Sequence, residues 1–151
     1  MKKLSLFISI ILFSLFITKS FAGKHYASGK ARVVDGDTIV IKKERIRFGG
    51  INSPERKEVG YQLAKDKLIK KIANQVVTCV REKNKDKYQR TVAECFVDGE
   101  SLSSFMVKNG YACDFTYYSK GKYAEEQKYA KSKKLGIWKM KYNLKWEKKC
   151  R

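Results

Sequence analysis

Histidine occurs once in this 151-residue chain, proline once, and none of the four cysteines forms a Cys-x-x-Cys pair. The lone histidine, His25, falls close to the N-terminus, so histidine-centred acid–base chemistry is not expected. Widely spaced cysteines argue against a zinc site. Beyond one apolar run at the N-terminus there is no further run of that kind, and no low-complexity tract, linker or internal repeat. Acidic residues are scarce, with 15 Asp and Glu against 34 Lys and Arg, a formal net charge of +19. Such an excess on a small chain makes a polyanion the natural partner. Anionic membrane is the weaker alternative, because the lysines are spread along the whole chain and not gathered on one amphipathic helix.

The apolar run, "LSLFISIILFSLFI" from Leu4 to Ile17, follows Lys2 and Lys3 and leads to "KSFAGK", where Ser20 and Ala22 supply the small residues a signal peptidase needs. It is shorter than the roughly 20 residues required to span a bilayer. The expectation is a signal peptide over 1–22 and a secreted or periplasmic single domain over 23–151 with a short basic C-terminal tail. No membrane anchor is then left after cleavage. Loss of Lys2, Lys3 and Lys19 lowers the formal charge from +19 to +16. In an oxidising compartment Cys79, Cys95, Cys113 and Cys150 read as two disulfides. Three pairings are open. Cys79 with Cys95 is favoured because they lie on two strand-like runs joined by a turn, which leaves Cys113 with Cys150.

From Lys30 to Ile51 the residues alternate and are β-branched, predicting three strands in a meander broken at Asp35-Gly36-Asp37. Ser53 and Pro54 then have the form of a helix cap and first helical residue, and Tyr61, Ala64, Leu68 and Ile72 recur at helical spacing. "QVVTCVRE" and "RTVAECFV" predict two more strands around the polar "KNKDKYQ". A short helix over "SLSSFMVKNG" and a last one from about Lys122 to Leu135 follow, before a tail carrying Trp138 and Trp146. Five strands with a helix after the third suit an α+β, mainly β, five-stranded OB-type Greek-key barrel with about three helices. Tyr123, Tyr129 and Trp138 are expected in packing roles, and the basic C-terminal tail is explained equally well as added electrostatic affinity for a polyanion and as a solvated segment.

One acid-and-arginine constellation stands out. Asp35 and Asp37 flank Gly36; Arg47 lies eight residues before the Glu55 of a Pro-Glu pair; Arg90 closes the loop Asp86-Lys87-Tyr88-Gln89-Arg90. "VVDGDTI", "RIRFGGINSPE", "DKYQRTVAECFVDG" and "MVKNGYA…GIW" together resemble the thermonuclease family, the staphylococcal-nuclease-like domain, over nearly all of Lys30 to Trp138. The resemblance implies a role for each position. Asp37 is a carboxylate ligand of one bound calcium ion, with Asn52 where a second ligand aspartate is usual and Ser53 supplying a backbone carbonyl. Glu55 is the general base, Arg47 and Arg90 grip the scissile phosphate, and Tyr88 with Tyr117 or Tyr118 contact the nucleotide. Asp35 forms the turn or backs the ligand.

These roles are chemically coherent. Calcium takes several hard oxygens in flexible geometry. Two guanidinium forks and a divalent cation oppose the charge that builds on a phosphodiester during attack, and a carboxylate one water away can take a proton. The implied activity is metal-dependent hydrolysis of DNA and RNA, with nucleic acid as the partner and no stable protein partner for a monomer. Two departures bear on it. Asn52 removes one charge from the metal shell, so another divalent ion could serve, and a catalytically weak nucleic-acid-binding OB module is the alternative. Gln89 stands where the family has glycine, in the loop that aims Arg90.

Overall fold

A computed structural model describes residues 25–140 and 144–150. The expected signal peptide lies outside the described residues. In chain order the elements are β1 (Tyr26–Asp35), β2 (Thr38–Ile41), β3 (Glu44–Phe48), β4 (Ile51–Asn52), α1 (Tyr61–Ile72), β5 (Val76–Lys85), β6 (Thr91–Val97), β7 (Glu100–Ser101), α2 (Leu102–Lys108), β8 (Cys113–Asp114), α3 (Thr116–Ser119), α4 (Ala124–Ser132), a 3-10 turn (Gly136–Lys139) and α5 (Leu144–Lys148).

The strand order β3-β2-β1-β5-β6-β7, with an added parallel pairing of β3 with β6, closes five strands into a barrel. This is the α+β, mainly β, OB-type fold that the strand pattern predicts. Period-2 alternation gives the closed sheet its apolar interior. On β3, Ile46 and Phe48 are buried while Arg45 and Arg47 point the other way; on β6, Ala93, Cys95 and Val97 are buried in turn. Helix α1 turns Ala64, Leu68 and Ile72 onto the barrel, residues four apart on one face. Each fully buried Ile, Leu or Phe here contributes roughly 1.5–3 kcal/mol. Disulfides join Cys79 to Cys95, directly opposite each other on β5 and β6, and Cys113 to Cys150.

Several expectations need correction. Strand β1 begins at Tyr26, ahead of Lys30, and pairs with β5 from its first residue. Helix α1 begins at Tyr61 and not at Ser53. The Ser53 N–H donates to a buried carboxylate, and positive φ at Lys57 (76°) and Gly60 (92°) turns the chain out of a helical path before Tyr61. The three expected helices correspond to α1, α2 and α4; α3 and α5 are additional short ones. Tyr129 is 47% exposed and so packs less than expected, whereas Tyr123 is buried. The C-terminal segment is not a solvated tail, since Trp146 is fully buried against Trp138 with ring centroids 4.9 Å apart.

Candidate active site

The site forms where β1 hands over to β2. The ladder between them shifts register at Val33 and Asp35, a bulge that turns Asp35 and Asp37 toward the barrel's end. Gly36 is required by close approach: a Cβ there would meet the Cβ atoms of Ala64 and Ser53 at 2.8 Å. The acidic turn is thereby pressed against both α1 and the loop that follows β4.

Asp37 is 2% exposed and fully engaged. Its Oδ1 accepts from the Thr38 hydroxyl at 3.1 Å; its Oδ2 accepts from the Ser53 N–H at 2.7 Å and lies 2.5 Å from Arg47 Nη1. Thr38 pairs directly with Arg47 across β2 and β3, which carries the guanidinium to the same end of the barrel. Arg47 Nη2 then donates to the Ile51 carbonyl at 2.9 Å and to Asn52 Oδ1 at 3.4 Å. One guanidinium therefore ties Asp37 to β4. The Nδ2 of Asn52 is buried without a hydrogen-bond partner.

Burial alone would raise the Asp37 carboxyl, but the Arg47 charge and the Ser53 N–H outweigh it and hold the group below the ordinary aspartate range. Asp35 goes the other way. Its Oδ1 accepts from the Asp37 N–H at 3.1 Å, and burial, followed by repulsion from Asp37, pushes it up to about 6. The two carboxylates, separated by Gly36, thus hold their protons very differently: Asp37 stays an anion well into acid, and Asp35 takes up a proton at about pH 6.

Asp37, Arg47, Asn52 and Ser53 are brought into direct contact. Glu55 lies two residues further along the same loop with an exposed side chain, its N–H donating to Glu58 Oε2 at 2.8 Å. Arg90 approaches through the parallel β3–β6 pairing, one residue before Thr91, the partner of Ile46. Its guanidinium is not bonded to the acidic cluster. The Nε group donates to Asp86 Oδ2 at 2.6 Å, and the guanidinium carbon sits 5.4 Å from the centre of the Tyr88 ring. Gln89 adopts φ of 61°, the left-handed conformation that a glycine would hold at lower cost. Tyr88, Tyr117 and Tyr118 are all exposed, and the last two are edge-on to each other at 4.8 Å. Helix α3 brings that pair beside β4, because β8 pairs with β4 and the Phe115 N–H donates to the Gly50 carbonyl at 2.9 Å.

Among the described residues no three His, Cys, Asp or Glu side chains converge as a cation cage. A cation here would be held by the Asp37 carboxylate, the Asn52 amide oxygen, a main-chain carbonyl and water. That is an all-oxygen set of low charge, which fits a hard cation and not a thiolate- or imidazole-seeking one.

An OB-type barrel that gathers Asp35, Asp37, Asn52 and Arg47 at one end, on a strongly basic chain, suits a partner that carries phosphates. The comparisons with known proteins narrow the class. Residues 45–140 match the sequence model of the family described as "Staphylococcal nuclease homologue", and the chain belongs to that family. It is similar to the "Succinoglycan biosynthesis protein ExoI" of Rhizobium meliloti (strain 1021), 31% identical over 87% of this chain and 74% of that protein. It is similar also to the "Thermonuclease" of Staphylococcus intermedius, 35% identical over 71% of this chain and 73% of the relative. An "Uncharacterized endonuclease" of Haemophilus influenzae is 31% identical over 71% of this chain and 63% of its own length. The chain is accordingly a nuclease of the phosphodiesterase type.

Proposed function

We propose that this nuclease is calcium-dependent, acts as a monomer outside the cytoplasm, secreted or periplasmic, and hydrolyses DNA and RNA with little sequence preference. The observation that carries the reading is the buried Asp37 carboxylate, kept anionic beside Asn52 and Arg47 at the mouth of a basic barrel. The two disulfides support an oxidising compartment.

Asp37 and Asn52, with a carbonyl at Ser53, would hold the cation, which supplies Lewis-acid stabilisation of charge on the phosphate when bound. Arg47 and Arg90 bind the non-bridging oxygens, where the fork geometry of guanidinium suits a tetrahedral anion gaining charge. Arg90 leaves Asp86 to do so, and Asp86 aims it until then. Glu55, on an exposed loop beside the cluster, takes a proton from water as that water attacks phosphorus. The bond to the 5′ oxygen breaks, leaving a 3′-phosphate on one fragment, while the departing 5′ oxygen takes a proton from water and ends as a hydroxyl on the other. Tyr88, Tyr117 and Tyr118 are exposed aromatic rings with cations over two of them, Lys87 and Arg90 at Tyr88 and Lys120 at Tyr117, and a base would stack there by displacing those side chains, a contact tolerant of sequence. The lysine surface captures the strand through phosphates, so affinity drops steeply with salt.

The test is cleavage by Glu55→Gln and Arg90→Ala variants alongside retardation of uncut DNA. Each loses most of the rate and keeps most of the binding; an unchanged rate in either removes the role assigned to that residue. One observation favours a second reading, a nucleic-acid-binding module without catalysis. The Arg47 guanidinium already pairs with the Asp37 carboxylate and donates to the Asn52 amide oxygen, the two oxygens a cation would use. That reading predicts bound, uncut DNA under all metal conditions.

A further inference from the structure

The family match ends at residue 140, yet the segment beyond it is fastened to the active-site loop at several points. The Nε1–H of Trp146 on α5, fully buried, donates to the main-chain carbonyl of Asn52 at 3.2 Å. Cys150, at the end of the same segment, is bonded to Cys113, and Cys113 is the residue that pairs with Asn52 across β8 and β4. Between them, Lys149 Nζ donates to Glu58 Oε1 at 2.6 Å while Glu58 Oε2 accepts the N–H of Glu55 at 2.8 Å. Two chains of contact therefore run from the C-terminal segment, one to Asn52 and one to Glu55.

The loop has reason to need them. Strand β4 is two residues long, and residues 53–60 form neither helix nor strand, with left-handed backbone at Lys57 and Gly60. The main-chain bonds inside it, Glu58 N–H to the Glu55 carbonyl at 2.8 Å and Tyr61 N–H to the Glu58 carbonyl at 3.2 Å, fix turns and not a path. The Ser53 N–H bond to Asp37 fixes where the loop begins, and the Lys149–Glu58 bond acts further along it.

We propose that residues 144–150 are a strap that positions the catalytic loop, with Trp146 acting through Asn52 and Lys149 acting through Glu58 on Glu55. This rests on the roles given above to Asn52 and Glu55. The disulfide anchors the strap: a loop of 37 residues closed by a covalent bond restricts the unfolded chain, and the buried indole supplies a donor that only tryptophan among apolar side chains offers. The Lys149–Glu58 pair is too exposed on the lysine side to stabilise the fold much. Its consequence is therefore read in turnover and not in melting.

The experiment uses the full chain with calcium and a labelled single-stranded DNA, assayed well below every variant's melting temperature. The variants are Trp146→Phe, which keeps the ring and loses the donor, Lys149→Met, Lys149→Arg, Glu58→Gln, the Glu58→Gln/Lys149→Met double, and Glu55→Gln as the control on the underlying roles. Trp146→Phe and Lys149→Met lower kcat about tenfold, within the range for misplacing a catalytic group by less than an ångström, and leave KM within about twofold. Lys149→Arg restores the rate, and Lys149→Met costs nothing more once Glu58 is Gln. Amide exchange quickens in residues 52–58 and not in β5 or β6. Rates within twofold of the parent in both single variants, with Glu55→Gln inactive, overturn the strap while sparing the site. Losses that simply follow melting temperature, with exchange rising throughout the barrel, overturn it also. A fully active Glu55→Gln would remove both the base and the strap's purpose. Should Trp146→Phe not fold, the Lys149 series decides alone.

Discussion

Arg47→Met removes the cation beside a carboxylate that is 2% exposed, and the loss can be sized. At 2.5 Å and an effective dielectric near 20, the raw attraction between Arg47 and Asp37 is about 7 kcal/mol. Most of that is cancelled by the cost of desolvating two ions, and breaking a buried pair from one side typically costs about 3–5 kcal/mol because the survivor is stranded. Arg47 keeps 13% of its side chain in water, which places the expected loss at the lower end, about 3 kcal/mol. For a domain of this size that lowers the melting temperature by about 10 °C. The assay is thermal and urea unfolding of the full chain at pH 7 in chelator, comparing Arg47→Met, Asp37→Asn and the double variant. The double variant should be more stable than Arg47→Met alone, since no stranded anion is left. Calcium should then stabilise Arg47→Met more than the parent, because a cation on the same oxygens replaces the missing charge. A loss under about 1 kcal/mol, below the cost of a stranded buried charge, or strictly additive single effects, would refute the claim that Arg47 is what keeps Asp37 buried as an anion.

Two further outcomes follow from packing and burial. Gly36→Ala forces a methyl into contact with Ser53 and Ala64, so it should lower stability by about 1–3 kcal/mol. Because Ser53 moves with it, cleavage should drop as well; a variant as stable and active as the parent would show the close approach to be dispensable. Tyr123, pushed up to about 12 first by burial and then by its hydrogen bond to Glu94 at 2.7 Å, holds its proton more tightly folded than unfolded. Its contribution to stability is therefore complete below pH 10 and fades between about 10 and 12. Absorbance of tyrosinate should show a late-ionising component to which Tyr123 contributes together with Tyr111, which burial also raises, and Tyr123→Phe should remove the part that titrates near 12.

Strands and barrel were legible in the sequence because β-branched alternation has only one way to bury Ile39, Ile46 and Val77, and turn chemistry at Asp35-Gly36 marks where the first hairpin reverses. The acidic turn, Arg47 and the Pro-Glu loop were visible as a set because their order and spacing resemble the thermonuclease family, whereas singly each reads as an ordinary turn, cap or strand charge. What local pattern could not show was competition for a hydrogen bond. Ser53 has the form of a helix cap, but Asp37 claims its N–H from sixteen residues away, and the helix waits until Tyr61. The packing of the C-terminal segment is beyond local pattern for a similar reason. Its lysines suggest a solvated tail, while Trp146 is buried in a segment that the Cys113–Cys150 bond ties to the barrel. The even cysteine count was the available signal, and the expected pairing already placed Cys150 on the barrel. Arg90 illustrates a third limit, since sequence places it in the loop but only the fold reveals that Asp86 holds it.

The most direct test of the central claim is hydrolysis of a labelled single-stranded DNA by the purified protein, titrated with calcium and repeated in chelator. Cleavage that rises with calcium and vanishes in chelator is the predicted result, and it would mean that Asp37 and the neutral Asn52 together support a working cation site. DNA that is retarded yet uncut at every calcium concentration would contradict it.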